Sequence, residues 1–94
     1  MDTKPKFLII PNKHVVEYAE MISTCISNIN LEVVVDMRFD LKLAQRLKNS
    51  EPFIVIAVGK RNAENRTLQI SLDNQIQVMT FENFIKFTLV LLNT

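Results

Sequence analysis

The sequence predicts an α/β domain, with five strands in a mixed sheet and three helices. Three observations lead to this prediction. Residues 52–59, PFIVIAVG, form an apolar run without alternation, which is typical of a strand covered on both faces, and we take this run as the central strand. Two strand-helix units precede it. An alternating polar and apolar stretch and a final apolar helix follow it.

Length and composition predict one soluble domain over residues 1–94. The 94 residues are 48% hydrophobic and 22% charged, so disorder is not expected. Uncharged stretches fall well short of the roughly 20 residues of a membrane-spanning helix, and the N-terminus lacks a signal-peptide layout. We expect a cytoplasmic location, with the nucleus or the mitochondrion as alternatives. The domain could also form the C-terminal part of a larger protein.

The first strand-helix unit has the clearest pattern. Lys6–Pro11, KFLIIP, reads as a strand closed by a proline, a residue that strand ends tolerate. A helix is predicted to open at Asn12 or Lys13. Its apolar residues recur at the spacing of one helical face: Val15, Tyr18, Ala19, Ile22, Cys25, Ile26 and Ile29.

The second unit is shorter. Residues 31–37, LEVVVDM, contain three consecutive valines and predict a strand. Asp40 is a good N-cap for a helix over residues 41–49, which ends before Pro52. Helical crossovers return the chain in the same direction, so we expect the first three strands to pair in parallel with right-handed connections.

The last third predicts a polar loop, two antiparallel strands and a helix. Residues 60–66 are polar, and residues 68–72 and 75–79 alternate around a predicted turn at residues 73–74. Thr80 is the expected N-cap of a helix over Phe81–Leu92. That helix is apolar on most sides, with Phe87, Val90 and Leu91 widening its packing face, so a homodimer or interdomain contact is expected there.

Charge is concentrated in the middle of the chain. Residues 38–66 carry seven basic and three acidic side chains, a net charge of +4, whereas the whole chain carries +1. A solvated face explains such a cluster, and so does a footprint for a phosphate backbone. The basic residues are Arg38, Lys42, Arg46, Lys48, Lys60, Arg61 and Arg66.

No catalytic constellation emerges from the sequence. His14 is the single histidine and Cys25 the single cysteine, and neither has a partner at a spacing that indicates a nucleophile or a metal site. Asp36 is interpreted as a strand-end carboxylate paired with Arg38. One glycine excludes a glycine-rich phosphate loop. We expect no catalysis, no cofactor and no metal.

Five segments follow one another in a family-like order: the strand FLIIP, the helix segment EYAEMIS, the strand exit VVVDMR, the proline-led PFIVIAVGKRNAEN and the strand TLQIS. In this order they resemble the anticodon-binding domain of class II aminoacyl-tRNA synthetases of the threonyl, prolyl, glycyl and histidyl group. The resemblance covers nearly the whole chain and implies a mixed five-stranded sheet with three helices. It also implies a module that binds the anticodon stem-loop of tRNA or another structured RNA and takes part in translation.

The resemblance places the RNA contacts at one edge of the sheet. The expected RNA-binding residues are Arg38, Phe39, Lys42, Arg46, Lys60, Arg61, Asn62, Glu64, Arg66 and Gln69. Phe39 would stack on a base, although it could instead staple the following helix. Asn62 stands where the family usually has the first of two glutamates, and Ser71 stands near the position of a family arginine.

A protein-interaction or dimerisation domain with the same inherited fold is the alternative. Relatives of this kind occur in the accessory subunit of mitochondrial DNA polymerase, in a nuclear receptor coactivator and in the kinase that senses uncharged tRNA. Under this alternative, a partner buries Phe81–Leu92 and residues 75–79, and the segment 60–66 is dispensable.

Overall fold

The computed structural model describes residues 6–37, 53–72 and 75–92. The described residues form five strands and three helices, in the order β1 (Lys6–Pro11), α1 (Val16–Asn28), β2 (Glu32–Val35), β3 (Phe53–Val58), α2 (Lys60–Asn65), β4 (Thr67–Leu72), β5 (Gln75–Thr80) and α3 (Phe81–Leu92). The predicted α/β class and mixed five-stranded sheet are confirmed. The helix predicted over residues 41–49 and the turn at residues 73–74 lie outside the described residues.

The five strands form one sheet in the order β2-β1-β3-β4-β5. β1 pairs in parallel with both β2 and β3, as expected for strands joined by crossovers. β3 pairs antiparallel with β4, and β4 antiparallel with β5. The strand that ends at Val58 is therefore the middle of five, which confirms that the apolar run at residues 52–59 contains the central strand.

The core lies on both faces of the sheet. On one face Phe7, Ile9 and Ile56 are fully buried against α1 and α3. Their neighbours along each strand point to the opposite face, where Leu8 and Val55 belong to a second buried cluster. Burial on both faces explains why β1 and β3 have continuous apolar sequences rather than alternating ones.

Helix α1 begins later than its apolar spacing predicts. The expected start at Asn12 or Lys13 is wrong, because these residues form a turn and the helix begins at Val16. The Asn12 side-chain oxygen accepts a hydrogen bond from the His14 N–H at 3.0 Å, and the Asn12 carbonyl accepts one from the Val15 N–H at 3.0 Å. Asparagine favours such local turns over helix continuation.

The polar loop predicted at residues 60–66 is also wrong, because most of this segment is helix α2. Ala63 packs against the core, and the Asn62 side chain accepts a hydrogen bond from the Gly59 N–H at 2.9 Å, which satisfies a donor at the helix start. Arg66 ends the helix in the left-handed conformation, with φ 51°. Six residues are too few to show an apolar periodicity, so the pattern did not reveal this helix.

Helix α3 follows its prediction closely. Thr80 caps it, since the Thr80 hydroxyl oxygen accepts a hydrogen bond from the Asn83 N–H at 3.1 Å. Phe84 is fully buried, and its ring meets Phe7 edge-on with a centroid separation of 5.8 Å. Phe87 and Leu91 widen its packing face as predicted, since both are half-buried and pack against the domain's own core. Val90, which was predicted to widen the same face, is exposed instead.

Candidate nucleic-acid interface

The carboxyl ends of β1 and β3 lie side by side and open one edge of the sheet. Pro11 and Val58 are register partners at these ends, and the Asn12 N–H donates a hydrogen bond to the Val58 carbonyl at 2.8 Å. β4 runs in the opposite direction, so it starts at this same edge with Thr67. Loop residues at the carboxyl edge of parallel strands are commonly those that bind ligands.

A cleft of about 410 Å³ lies at this edge. Ile10, Ala57 and Gln69 are register partners on three adjacent strands, so they form a row on one face of the sheet and all three line the cleft. Two members of the row are apolar and the third carries an exposed amide. The remaining lining residues are Pro11, Asn12, Lys13, Val58 and Gly59.

The chemistry of the cleft combines an apolar floor with polar groups at its rim. Asn12 and Gln69 offer amide donors and acceptors, and Lys13 brings a positive charge; all three are exposed. Lys60 and Arg61 come directly after the lining residue Gly59 and are exposed on the first turn of α2. The cleft is therefore flanked by cations at the ends of both β1 and β3.

The buried Asn62 side chain hydrogen-bonds residues at the wall of the cleft. Its oxygen accepts from the Gly59 N–H, and its Nδ2 donates to the Thr67 hydroxyl oxygen at 3.0 Å. The Gln69 Nε2 makes a longer contact of 3.5 Å with the same Asn62 oxygen. These bonds tie the end of β3 to the start of β4, and they use the Asn62 amide within the protein.

Tyr18 fixes the start of β4 from the side of α1. Its hydroxyl donates a hydrogen bond of 2.7 Å to the Thr67 carbonyl oxygen. Burial raises the pKa of the Tyr18 phenol above its ordinary value, while the positive charge of Arg66 acts in the opposite direction. Arg66 also lines a second hollow of about 470 Å³ with Asn65, Thr80, Phe81 and Glu82.

The structure brings only part of the predicted set to the cleft. Gln69 lines it, and Lys60 and Arg61 follow its lining residue Gly59. Glu64 is exposed on α2, Arg66 lines the second hollow, and Asn62 is buried. Arg38, Phe39, Lys42 and Arg46 lie outside the described residues. The predicted pairing of Asp36 with Arg38 lies partly outside them as well; Asp36 itself is buried beside the end of β1.

Sequence reasoning missed Asn12 and Lys13 as members of the site. Both were assigned to the start of a helix. A usable signal was present, because two polar residues directly follow a strand that is predicted to run parallel to the central strand.

The described residues contain no group of three histidine, cysteine, aspartate or glutamate side chains placed to hold a metal ion. Within the same part of the chain, none of the helices has the length and apolar character needed to cross a membrane.

Comparison with known proteins identifies the fold. No family model and no curated protein sequence matches the chain. Solved structures do match, among them the RNA binding domain of threonyl-tRNA synthetase from Cryptosporidium parvum Iowa II, at a TM-score of 0.78 and 15% identity over 94% of this chain and 23% of that one.

Prolyl-tRNA synthetase from Cryptosporidium parvum matches in two structures. The complex with halofuginone and AMPPNP gives a TM-score of 0.79 at 13% identity over 96% of this chain, and the complex with L-proline and AMP gives 0.73 at 11% over 97%. This chain spans 21% of the length of each. The fold is thus the one found in class II synthetases, as the resemblance implied.

Proposed function

We propose that this domain binds RNA through the edge formed by β1, β3 and α2. Its ligand is an unpaired loop, such as the anticodon loop of tRNA, and the domain catalyses no reaction of its own. The observation that carries the proposal is the row of Ile10, Ala57 and Gln69, an apolar floor that ends in an exposed amide between flanking cations.

Each part of the cleft suits one part of an RNA loop. An unpaired base presents a flat apolar face and a hydrogen-bonding edge, which match the Ile10–Ala57 floor and the amides of Asn12 and Gln69. The phosphates on either side of that base match Lys13, Lys60 and Arg61. The threonyl neighbour, whose fold this chain shares, is itself described as an RNA binding domain.

The decisive experiment measures tRNA binding across a salt series with Lys60→Glu/Arg61→Glu. Removing two phosphate contacts should weaken binding by at least about tenfold at low salt and reduce the slope of log K against log salt by about two. Acidic residues in the first turn of a helix are favourable, so this variant should remain folded.

The matched control is Lys6→Glu/Lys86→Glu, which makes the same change in net charge. Lys6 lies at the opposite end of β1 from the cleft, and Lys86 lies on α3. The ion pair between Lys6 and Glu32, with an N–O distance of 3.6 Å, is solvent-exposed and contributes less than about 1 kcal/mol to stability. Equal loss in both variants would show that net charge alone drives binding, and absence of binding at low salt would overturn the proposal.

A second variant separates base contacts from phosphate contacts. Gln69→Ala should reduce the preference for a hairpin with an open loop over a blunt duplex, while leaving the salt slope unchanged. A Gln69→Ala domain that still prefers the open loop would remove Gln69 from the base contact.

An interaction module remains the second candidate function. The observation that favours it is that Leu89 and Val90 are exposed on the outer face of α3, at 46% and 61%. Phe87 and Leu91 are not suitable for testing it, because they pack inward. Leu89→Lys/Val90→Lys should dissociate a complex that uses α3 without unfolding the domain, and an unchanged mass in solution would exclude this face.

A further inference from the structure

β5 carries the two most exposed large apolar side chains of the described residues. β5 is the last strand of the sheet order, so β4 occupies one of its sides. Ile76 and Val78 are 70% and 67% exposed, more than any other exposed large hydrophobic side chain of the described part of the chain. They share one face of the sheet with the cleft row, since Val78 is the register partner of Gln69.

The backbone hydrogen-bonding groups of successive β5 residues point alternately to β4 and to the outer edge. The Phe81 N–H donates to the Arg66 carbonyl at 2.8 Å, which makes these two residues a hydrogen-bonded antiparallel pair. Such pairs recur every second residue, so Met79, Gln77 and Gln75 direct their backbone groups to β4. Ile76 and Val78 direct theirs to the outer edge.

The two edge strands of the sheet differ in their protection. β2 has four residues and begins with Glu32, whose side chain is 74% exposed. β5 has six residues, QIQVMT, with no charge, proline or glycine. Natural edge strands normally carry charges, prolines or bulges that prevent pairing with another strand. β5 lacks those sequence features, so its sequence does not oppose pairing at this edge.

We propose that β5 pairs antiparallel with β5 of a second copy of this chain, around a two-fold axis at Gln77. A strand without charges can pair with itself because no like charges are brought opposite one another. An isologous two-fold contact of this type needs only one self-complementary strand. The inference concerns the outer edge of β5, which contributes no residue to the lining of the cleft, and it does not depend on RNA binding.

The register follows from the backbone and from the side chains together. A residue whose backbone N–H and C=O groups point to the outer edge has to pair with such a residue of the second copy. These residues alternate along β5, so the two-fold axis passes through a residue and not between two neighbouring residues. An axis through Gln77 places Ile76 opposite Val78 of the second copy and, by symmetry, Val78 opposite Ile76. Both pairs are then hydrogen-bonded pairs, and they bring four exposed apolar side chains into lateral contact on one face of the sheet. An axis through Val78 would instead place Ile76 opposite Thr80.

This geometry closes at two copies. Pairing uses the β5 edge of both chains and leaves the β2 edges at the ends of a ten-stranded sheet. Each β2 edge is short and bears Glu32, which disfavours further addition of strands. The expected product is therefore a dimer and not a fibre.

The first test is the mass in solution, measured by sedimentation over a concentration series. The chain should be a dimer that dissociates on dilution, and Ile76→Lys/Val78→Lys should weaken dimerisation by at least about tenfold through lost apolar pairs and like-charge opposition. Both sites are exposed, so thermal unfolding of the monomer should change little. Leu89→Lys/Val90→Lys on α3 is the matched control and should leave the dimer intact.

The second test fixes the register. Residues at a non-hydrogen-bonded pair lie about 4.5 Å apart at Cα, which suits a disulfide. In a Cys25→Ser background, Gln77→Cys should therefore cross-link two chains under mild oxidation. Gln75→Cys should not, because the two copies of residue 75 lie four residues, or about 13 Å, apart.

Three results would overturn the proposal: a monomer at all concentrations, a dimer that survives Ile76→Lys/Val78→Lys, or equal cross-linking of both cysteine variants. Dissociation by the α3 control alone would assign the contact to α3.

Discussion

Two consecutive regions of the chain are built in opposite ways. Residues 59–69, the polar segment, contain Lys60, Arg61, Glu64 and Arg66 and are held by directed hydrogen bonds around Asn62 and Thr67. Residues 75–92, the apolar segment, contain only two charged side chains, Glu82 and Lys86, and are held by packing of α3 against the sheet. The first suits a polyanion and the second suits another protein surface.

Different residues form the two surfaces. The polar segment contributes exposed cations on α2, while the apolar segment exposes apolar side chains on β5 and α3. Substitutions can therefore test the proposed RNA contact and the proposed protein contact independently. The internal contacts also differ in kind, since loss of packing leaves a cavity whereas loss of a hydrogen bond leaves a buried polar group.

The largest expected effect is in the apolar segment. Phe84→Ala should lower the free energy of unfolding by about 3–5 kcal/mol, because a fully buried ring in contact with Phe7 is replaced by a cavity. Chemical denaturation measures this change. Leu89→Ala on the exposed side of the same helix should cost less than about 1 kcal/mol. Comparable losses in both variants would show that α3 has no distinct inner face.

An intermediate effect is expected at the centre of the polar segment. Asn62→Ala should cost about 1–3 kcal/mol, since it leaves the Gly59 N–H without its acceptor and the Thr67 hydroxyl without its donor. Asn65→Ala, at an exposed position of the same helix, should cost less than about 0.5 kcal/mol. If Asn62→Ala is neutral in stability but abolishes tRNA binding, Asn62 contacts RNA directly instead of holding the cleft wall.

The smallest expected effect is at the contact between α1 and the polar segment. Tyr18→Phe should cost about 1 kcal/mol by removing the hydrogen bond to Thr67. The chain has one tyrosine, so absorbance during an alkaline titration reports Tyr18 alone. Its midpoint should lie above that of the unfolded chain, because burial raises the pKa of the phenol.

The same shift predicts a pH dependence with a definite sign. The folded chain holds the Tyr18 proton more tightly than the unfolded chain, so this contribution to stability is complete below the unfolded-state pKa of about 10 and is lost as pH rises through the folded-state pKa. Wild type should therefore lose more stability than Tyr18→Phe above pH 10. An identical alkaline profile for the two chains would contradict this assignment.

The sheet and its central strand could be predicted from the amino-acid sequence alone. Continuous apolar runs at β1 and β3 are sufficient to predict strands covered on both faces, because charged residues cannot occupy such positions without cost. The alternation in β4 and the cap at Thr80 are likewise local patterns, and both were predicted. Asn62 and Gln69 were also selected from the sequence, although the separate roles of the two amides were not.

Tertiary contacts alone establish helix α2 and select the side chains that reach the cleft. Asn12 and Gly59 are 47 positions apart in sequence and both line the cleft, because β1 and β3 pair in parallel. No local pattern encodes that pairing. Helix α2 depends on Asn62, because the amide of this residue donates a hydrogen bond to the Thr67 hydroxyl on the next strand. The exposure of Ile76 and Val78 likewise follows from the register of β5. Their register partners are Ser71 and Gln69, which places them on the face of the sheet opposite the fully buried Leu68 and Ile70.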